Sequence, residues 1–173
     1  MKSIVFFWWS KLDEKEVWDI NIFLDKLLPE VKDSIKSIIY GWWTDWVMWL
    51  VKNKVEEYDI ELESYIMDKY KRDTDPKNAQ YFIDDNKRIK AFYEWWTYFV
   101  WLPGWLWTIT ELFTIWNFIR ASEESKQIFI PEFFRAFYNL LENLENSWML
   151  ADVDVDIFNR ISSHEELIKK IRI

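Results

Sequence analysis

The chain alternates short apolar runs with longer amphipathic segments, and this alternation constrains its fold more than any other feature. The apolar runs predict strands at 2–7, 37–40, 60–66, 81–83, 98–102 and 127–130. The amphipathic segments predict helices at 13–26, in a segment ending near 56, and at 84–94, 108–119, 131–144 and 163–171. We therefore predict an α/β fold, a Rossmann-like parallel sheet with helices on both faces, in a single domain spanning 1–173.

The composition excludes several classes of function. With 22 basic and 30 acidic residues, the formal charge is -8, which argues against a nucleic-acid partner because phosphates require a basic surface. The absence of cysteine excludes disulfides and thiolate metal sites. One histidine, His164, is too few for a histidine metal site or a Ser-His-Asp triad. The N-terminal apolar run is too short for a signal peptide, so we expect a cytoplasmic protein without a membrane partner.

Tryptophan is abundant where glycine is expected. The chain holds 14 tryptophans and 2 glycines, whereas ordinary usage predicts about 12 glycines. Several tryptophans stand where apolar runs end, at Trp8-Trp9, at Trp42-Trp43 and at Trp105 and Trp107. A bulky residue resists positive φ and blocks close approach of the backbone, so tryptophan is poorly suited to such turns.

Glycine at these tryptophan positions would create recognisable loops. Residues 40–49 would read Y-G-G-G-T-D-G-V-M-G, and residues 101–111 would read G-L-P-G-G-L-G-T-I-T-E. Both are strand–loop–helix junctions of the kind that binds phosphate. We hypothesise that UGA codons, which some bacterial lineages read as glycine, are written here as tryptophan. Trp18 and Trp116 stay undecided because they fall inside predicted helices, and Trp95, directly after the predicted helix at 84–94, stays undecided as well.

With this substitution the chain resembles the LOG family, the cytokinin riboside 5′-monophosphate phosphoribohydrolases. The family motif GGGxxGxMG falls on residues 41–49, and PGGxGTxxE falls on residues 103–111. Six positions match as written, namely Gly41, Met48, Pro103, Gly104, Thr108 and Glu111. The family also has an arginine on the helix before the second motif, and Arg88 matches it.

The resemblance implies an enzyme that hydrolyses the N-glycosidic bond of a nucleoside 5′-monophosphate, of the AMP or cytokinin-riboside type. The products are the free base and ribose 5-phosphate, and neither a metal nor an organic cofactor is implied. The family also implies a homodimer. Its catalytic residues correspond to Glu111 and Arg88, of which Arg88 is expected to contact phosphate or ribose oxygens. The positions implied to bind phosphate and ribose are Ser10, Gly41, Trp42, Trp43, Thr44, Gly104, Trp105, Trp107 and Thr108.

Other interpretations stay open at this point. Thr108 and Glu111 also form a T-x-x-E capping box, Arg88 alone is typical of a solvated helix charge, and Ser10 is a candidate helix cap. A non-catalytic nucleotide-sensing or carrier module is possible on the same fold. A tryptophan-rich protein of the membrane interface is a more remote alternative. The chain departs from the family at 85–87, where the family has Met-His, and this departure puts base recognition in doubt.

Three features of the C-terminal third have simpler explanations. Asp152, Asp154 and Asp156 alternate with valines and are typical of the polar face of an edge segment. Ser163 and Glu166 predict a capping box at the start of the last helix. His164, beside that cap, is expected to be an ordinary surface residue.

Overall fold

The computed structural model describes residues 2–7, 13–41, 47–73, 75–102, 106–122, 126–147 and 158–172. Its strands are β1 (Lys2–Phe7), β2 (Ile35–Gly41), β3 (Glu61–Met67), β4 (Ala79–Phe82), β5 (Tyr98–Trp101), β6 (Gln127–Pro131) and β7 (Phe158–Ile161). Its helices are α1 (Glu14–Val31), α2 (Val47–Glu57), α3 (Asp85–Trp95), α4 (Leu106–Ala121), α5 (Arg135–Asn146) and α6 (His164–Arg172), with a 3-10 turn at Asp68–Tyr70. All strand pairs are parallel, in the order β4-β3-β2-β1-β5-β6-β7. The prediction of an α/β Rossmann-like fold is confirmed.

Successive residues of the central strands point to two separate apolar cores. Ile4 and Val100 pack with buried residues of α1, α2 and α6 on one face of the sheet. Val5 and Phe99 pack with buried residues of α3, α4 and α5 on the opposite face. Because both faces are covered, the strands read as continuous apolar runs in the sequence.

Strand β1 lies between β2 and β5, where the order of strands along the chain reverses. Phe6 is in register with Tyr40 of β2, and Phe7 with Trp101 of β5, so the three strands end at one edge of the sheet. Ligands of open α/β sheets bind at such a reversal, outside the carboxyl ends of the strands. The segments 8–12, 42–46 and 103–105 follow these strands and lie outside the described residues.

Helix α1 is longer than the sequence predicts. It ends at Val31 rather than near 26 and contains Pro29, which cannot donate a hydrogen bond to the carbonyl of Asp25. The hydroxyl of Tyr58 lies 3.5 Å from that carbonyl oxygen and donates to it in place of the missing N–H. Leu27, Leu28 and Val31 are fully buried, and their burial outweighs the cost of the proline.

The C-terminal elements also differ from the predictions. Strand β7 was not predicted, because it has only four residues and only its end residues, Phe158 and Ile161, are buried. At the start of α6, the amide of Glu166 donates to the hydroxyl of Ser163, as a capping box requires. The returning bond runs from the amide of Ser162, rather than of Ser163, to the Glu166 carboxylate. The segment with Asp152, Asp154 and Asp156 lies outside the described residues.

The described tryptophans occupy ordinary positions in the fold. Trp101 is fully buried at the end of β5, where glycine would leave a cavity, so the glycine interpretation conflicts with the packing there. Trp18, Trp49 and Trp95 are exposed on helices. Trp116 is half-buried and stacks on Phe158 with ring centroids 6.0 Å apart.

The described backbone gives no support to the glycine hypothesis. Among the described residues other than glycine, only Asp59 has a positive φ, at 55°. No described tryptophan therefore holds a conformation that favours glycine. Within the same ranges, no helix is long and apolar enough to cross a membrane.

Candidate functional site

The candidate site lies where helices α3 and α4 begin. In a parallel sheet with helical connections, each helix starts beside the carboxyl end of the preceding strand, so α3 starts after β4 and α4 after β5. The two helices pack against each other. The side chain of Asp84 caps α3 by accepting hydrogen bonds from the amides of Asn86 and Lys87. Arg88 lies in the first turn of α3 and Glu111 in the second turn of α4, so both lie near the edge of the sheet where the carboxyl ends of the strands meet.

Arg88 and Glu111 form an ion pair that is nearly removed from solvent. The Nη2 atom of Arg88 donates to Oε1 of Glu111 at 2.5 Å. The side chains of the two residues are 10% and 13% exposed. A buried charge of this kind is stable only when it is paired, so neither side chain behaves as a solvated helix charge.

Two further groups contact the Arg88 guanidinium. Its Nε atom donates to Oδ1 of Asp85 at 2.8 Å, and its Cζ atom lies 5.4 Å from the ring centre of Phe92. Charged-group contacts of this type fix the plane of a guanidinium. With all three charged groups ionised, the cluster of Asp85, Arg88 and Glu111 carries a net negative charge.

Burial sets the protonation behaviour of the pair. Burial raises the pKa of Glu111 above its usual range; the Arg88 charge opposes this rise, and the Asp85 charge adds to it. Burial acts to lower the pKa of Arg88, but the charges and hydrogen bonds of Glu111 and Asp85 outweigh it and raise that pKa. The arginine therefore stays cationic, and the glutamate holds its proton to a higher pH than an exposed carboxyl.

Thr108 lies one turn before Glu111 on α4. Its side chain is 1% exposed, and its hydroxyl has no hydrogen-bond partner within the described ranges. Thr108 is the third residue of α4, so it does not cap that helix and the alternative of a Thr108–Glu111 capping box is wrong. A buried hydroxyl without a partner costs free energy, and a polar ligand would relieve that cost.

The structure brings some of the predicted site residues together. Arg88 and Glu111 are in contact, and Thr108 lies on the same helix as Glu111. Gly41 is the last residue of β2, and Trp107 lies in the first turn of α4. The remaining predicted residues lie outside the described part of the chain, and they are Ser10, Trp42, Trp43, Thr44, Gly104 and Trp105.

Sequence reasoning did not predict the contact between Asp85 and Arg88. Asp85 entered the prediction only as a departure from the family pattern. An acidic residue three positions before an arginine at a helix start is a recognisable i,i+3 pair, and this signal was available. No group of three or more His, Cys, Asp or Glu side chains in the described segments is arranged to hold a metal ion.

No protein-family model and no curated protein matches the chain. Solved structures match it over nearly its whole length. The molybdenum cofactor binding protein of the phototrophic bacterium Rippkaea orientalis is 12% identical, with a TM-score of 0.68 over 99% of this chain and 98% of the other. The molybdenum cofactor carrier protein of Chlamydomonas reinhardtii is 10% identical, with a TM-score of 0.66 over 98% and 97%. A structural-genomics target, TM1055, is 14% identical, with a TM-score of 0.63 over 99% and 98%.

These similarities establish the fold. The overall fold is shared, since each match covers nearly all of both chains. At identities of 10% to 14%, they do not transfer a ligand or an activity to this chain.

Proposed function

We propose that this protein binds a nucleoside 5′-monophosphate where β1, β2 and β5 end, and hydrolyses its N-glycosidic bond. The observation that carries the proposal is the buried ion pair of Arg88 and Glu111 at the start of two adjacent helices. A paired carboxylate near the ligand edge of such a sheet suits a reaction in which positive charge develops on the substrate.

The chemistry assigns the principal role to Glu111. As the bond from the ribose C1′ to the base nitrogen breaks, its electron pair leaves with the base and the ribose becomes cationic. The Glu111 carboxylate stabilises that charge and orients the water whose oxygen bonds to C1′. One proton of the water passes to the departing base, and the products are the free base and ribose 5-phosphate.

The phosphate is assigned to the beginnings of helices α2 and α4. Helix N-termini present backbone N–H groups and a positive dipole end to anions. The buried hydroxyl of Thr108, unpartnered in the described ranges, supports a polar ligand beside α4. The family resemblance adds Ser10, residues 41–44 and residues 104–107 as contacts of phosphate and ribose, and a homodimer as the assembly. The resemblance depends on the hypothesis that UGA codons encode glycine in these loops. The similar solved structures give that hypothesis no support.

The proposal is tested by incubating the protein with AMP and measuring adenine and ribose 5-phosphate by chromatography. We expect Glu111→Gln to lower kcat by about 100-fold or more, because it removes the charge that stabilises the transition state. Glu94→Gln is the matched control, since Glu94 forms an exposed pair with Lys90 on α3. Absence of base release by the wild-type protein, with AMP binding retained, contradicts the hydrolase proposal.

A non-catalytic carrier or binding module is the second candidate. It is supported by the similarity in fold to a molybdenum cofactor carrier protein and a molybdenum cofactor binding protein. The same edge of the sheet would then hold a phosphorylated ligand without cleaving it. Calorimetric titration with AMP, with and without product analysis, separates the two candidates. A carrier binds and releases AMP unchanged. Neither the wild type nor Glu111→Gln then forms adenine.

A further inference from the structure

Asp85 is the first residue of α3 and lies directly against the candidate catalytic pair. Its Oδ1 atom accepts a hydrogen bond from Nε of Arg88 at 2.8 Å, and its side chain is 37% exposed. Arg88 uses a different nitrogen, Nη2, to bind Glu111. The two carboxylates therefore accept hydrogen bonds from two different nitrogens of one guanidinium.

This arrangement restricts the orientation of Arg88. A long arginine side chain with a single hydrogen bond at Nη2 retains rotation about its last torsions. A second bond at Nε, together with the Phe92 ring 5.4 Å from Cζ, fixes the plane of the guanidinium. Glu111 therefore pairs with a guanidinium whose position is fixed by Asp85 in the first turn of α3.

The same contacts determine what Arg88 can bind. Two carboxylates already share its charge, so the cluster is negative overall. A negative cluster attracts the cationic ribose of the transition state and repels the 5′-phosphate dianion. Of the two expected contacts of Arg88, phosphate oxygens or ribose oxygens, this assignment favours the ribose.

We propose that Asp85 is a positioning residue, which holds the Arg88 guanidinium in the orientation that supports Glu111 and keeps the cluster negative toward the ribose. The catalytic part of this proposal rests on the proposed function. The positioning part concerns contacts within the protein and is tested without substrate.

A merely structural pair would behave differently. Lys90 and Glu94 lie on the same helix, and their side chains are about half-exposed or more, so their pairing is screened by water. Arg88 is buried, so without Asp85 its Nε–H loses a hydrogen-bond partner that water does not readily replace. Glu94→Gln is therefore a matched control that removes one carboxylate from α3 without touching Arg88.

The first experiment uses NMR on the protein without ligand. The variants are Asp85→Asn, Asp85→Glu and Glu94→Gln, and the readouts are hydrogen exchange of the Arg88 Nε–H and the carboxyl titration of Glu111. We expect Asp85→Asn to speed exchange at Nε and to lower the pKa of Glu111, since the Asp85 charge raises it in the wild type. Asp85→Glu is expected to restore slow exchange, because a longer carboxylate still reaches Nε. Equal exchange and equal titration in Asp85→Asn and Glu94→Gln would overturn the proposal.

The second experiment measures AMP hydrolysis by the same variants. We expect Asp85→Asn to lower kcat by about 10-fold to 100-fold with little change in KM, because a displaced Arg88 supports the transition state less well. Asp85→Glu is expected to recover most of the loss. An unchanged kcat in Asp85→Asn, with a wild type that cleaves AMP, overturns the catalytic part of the proposal. If the wild type releases no base, the proposed function fails, while the NMR readouts still decide whether Asp85 positions Arg88.

Discussion

The Nη2 atom of Arg88 lies 2.5 Å from Oε1 of Glu111, and this contact joins the first turn of α3 to the second turn of α4. The two residues are far apart in the sequence and come together because both helices start at the same edge of the sheet. The pair therefore links the stability of the α3–α4 layer to the chemistry proposed for Glu111.

Removal of Arg88 is expected to destabilise the fold. Arg88→Met leaves the Glu111 carboxylate buried without its cation, which costs about 3 kcal/mol at neutral pH. Urea unfolding, followed by circular dichroism, measures the loss. Lys90→Met is the control on the same helix, and its exposed pair contributes less than about 1 kcal/mol.

The double variant distinguishes a lost charge from lost packing. Arg88→Met combined with Glu111→Leu removes both charges and keeps apolar volume, so its loss of stability is expected to be smaller than that of Arg88→Met alone. Additive losses in the single and double variants would show that the pair does not couple the two helices.

The stability of the protein is expected to depend on the ionisation of Glu111. Burial raises the pKa of Glu111, so the folded state binds the proton more tightly than the unfolded state. The contribution of Glu111 to stability is complete below its ordinary pKa, about 4.3, and is lost as the pH rises through the raised pKa of the folded state. The unfolding free energy of wild type relative to Glu111→Gln should therefore fall over this interval. A relative stability that rises with pH would show that Arg88 lowers the pKa instead.

Thr108→Val tests whether the buried hydroxyl serves a ligand. The hydroxyl has no partner in the described ranges, so its replacement by a methyl group should leave stability unchanged or raise it by about 1 kcal/mol. If the hydroxyl binds substrate, the KM for AMP rises by about 10-fold. Thr114→Val is the control on the same helix, because its hydroxyl already donates to the carbonyl of Thr110. A stability loss without a change in KM would assign Thr108 to the fold alone.

The order of strands and helices could be predicted from apolar periodicity, because a parallel sheet buries both faces and produces continuous apolar runs. The end of α1 could not be predicted in this way. Local signals place a helix boundary near Pro29, whereas the helix continues because Leu28 and Val31 are buried against α2 and α6. Strand β7 was missed for a related reason. Its pairing with β6 is a long-range property that four residues cannot signal.

The candidate site was predictable only in part. The resemblance to the LOG family motifs implied roles for Glu111 and Arg88, and the structure places these two side chains in contact. The orientation of the guanidinium depends on Asp85 and Phe92, which no motif names. The i,i+3 spacing of Asp85 and Arg88 indicates their pairing, whereas the burial of Arg88 depends on the packing of α3 against α4.

The codons at the tryptophan positions decide whether the glycine loops exist. We expect UGA at Trp42, Trp43 and Trp105 and UGG at Trp116, which stacks on Phe158. Trp101 is a stringent test of the hypothesis. Glycine there would leave a cavity in a fully buried site, so the packing favours UGG at this codon. Intact mass spectrometry of the protein from its own organism gives an independent measure, since each glycine lowers the mass by a fixed amount.

The two outcomes also predict different behaviour of the expressed chains. If the loops require glycine, the chain with tryptophan at these positions should be poorly soluble and inactive. A tryptophan side chain can bury about 150–250 Å² of surface, so it is too bulky for a loop that closes around a phosphate. The chain with Trp42→Gly, Trp43→Gly and Trp105→Gly should then be soluble and bind AMP. UGG at all positions, together with the mass of the tryptophan chain, makes the glycine hypothesis wrong. The resemblance to the LOG family then rests on Arg88, Glu111 and the few loop residues that match as written, and the contact between Arg88 and Glu111 remains the strongest argument for a site at this edge of the sheet.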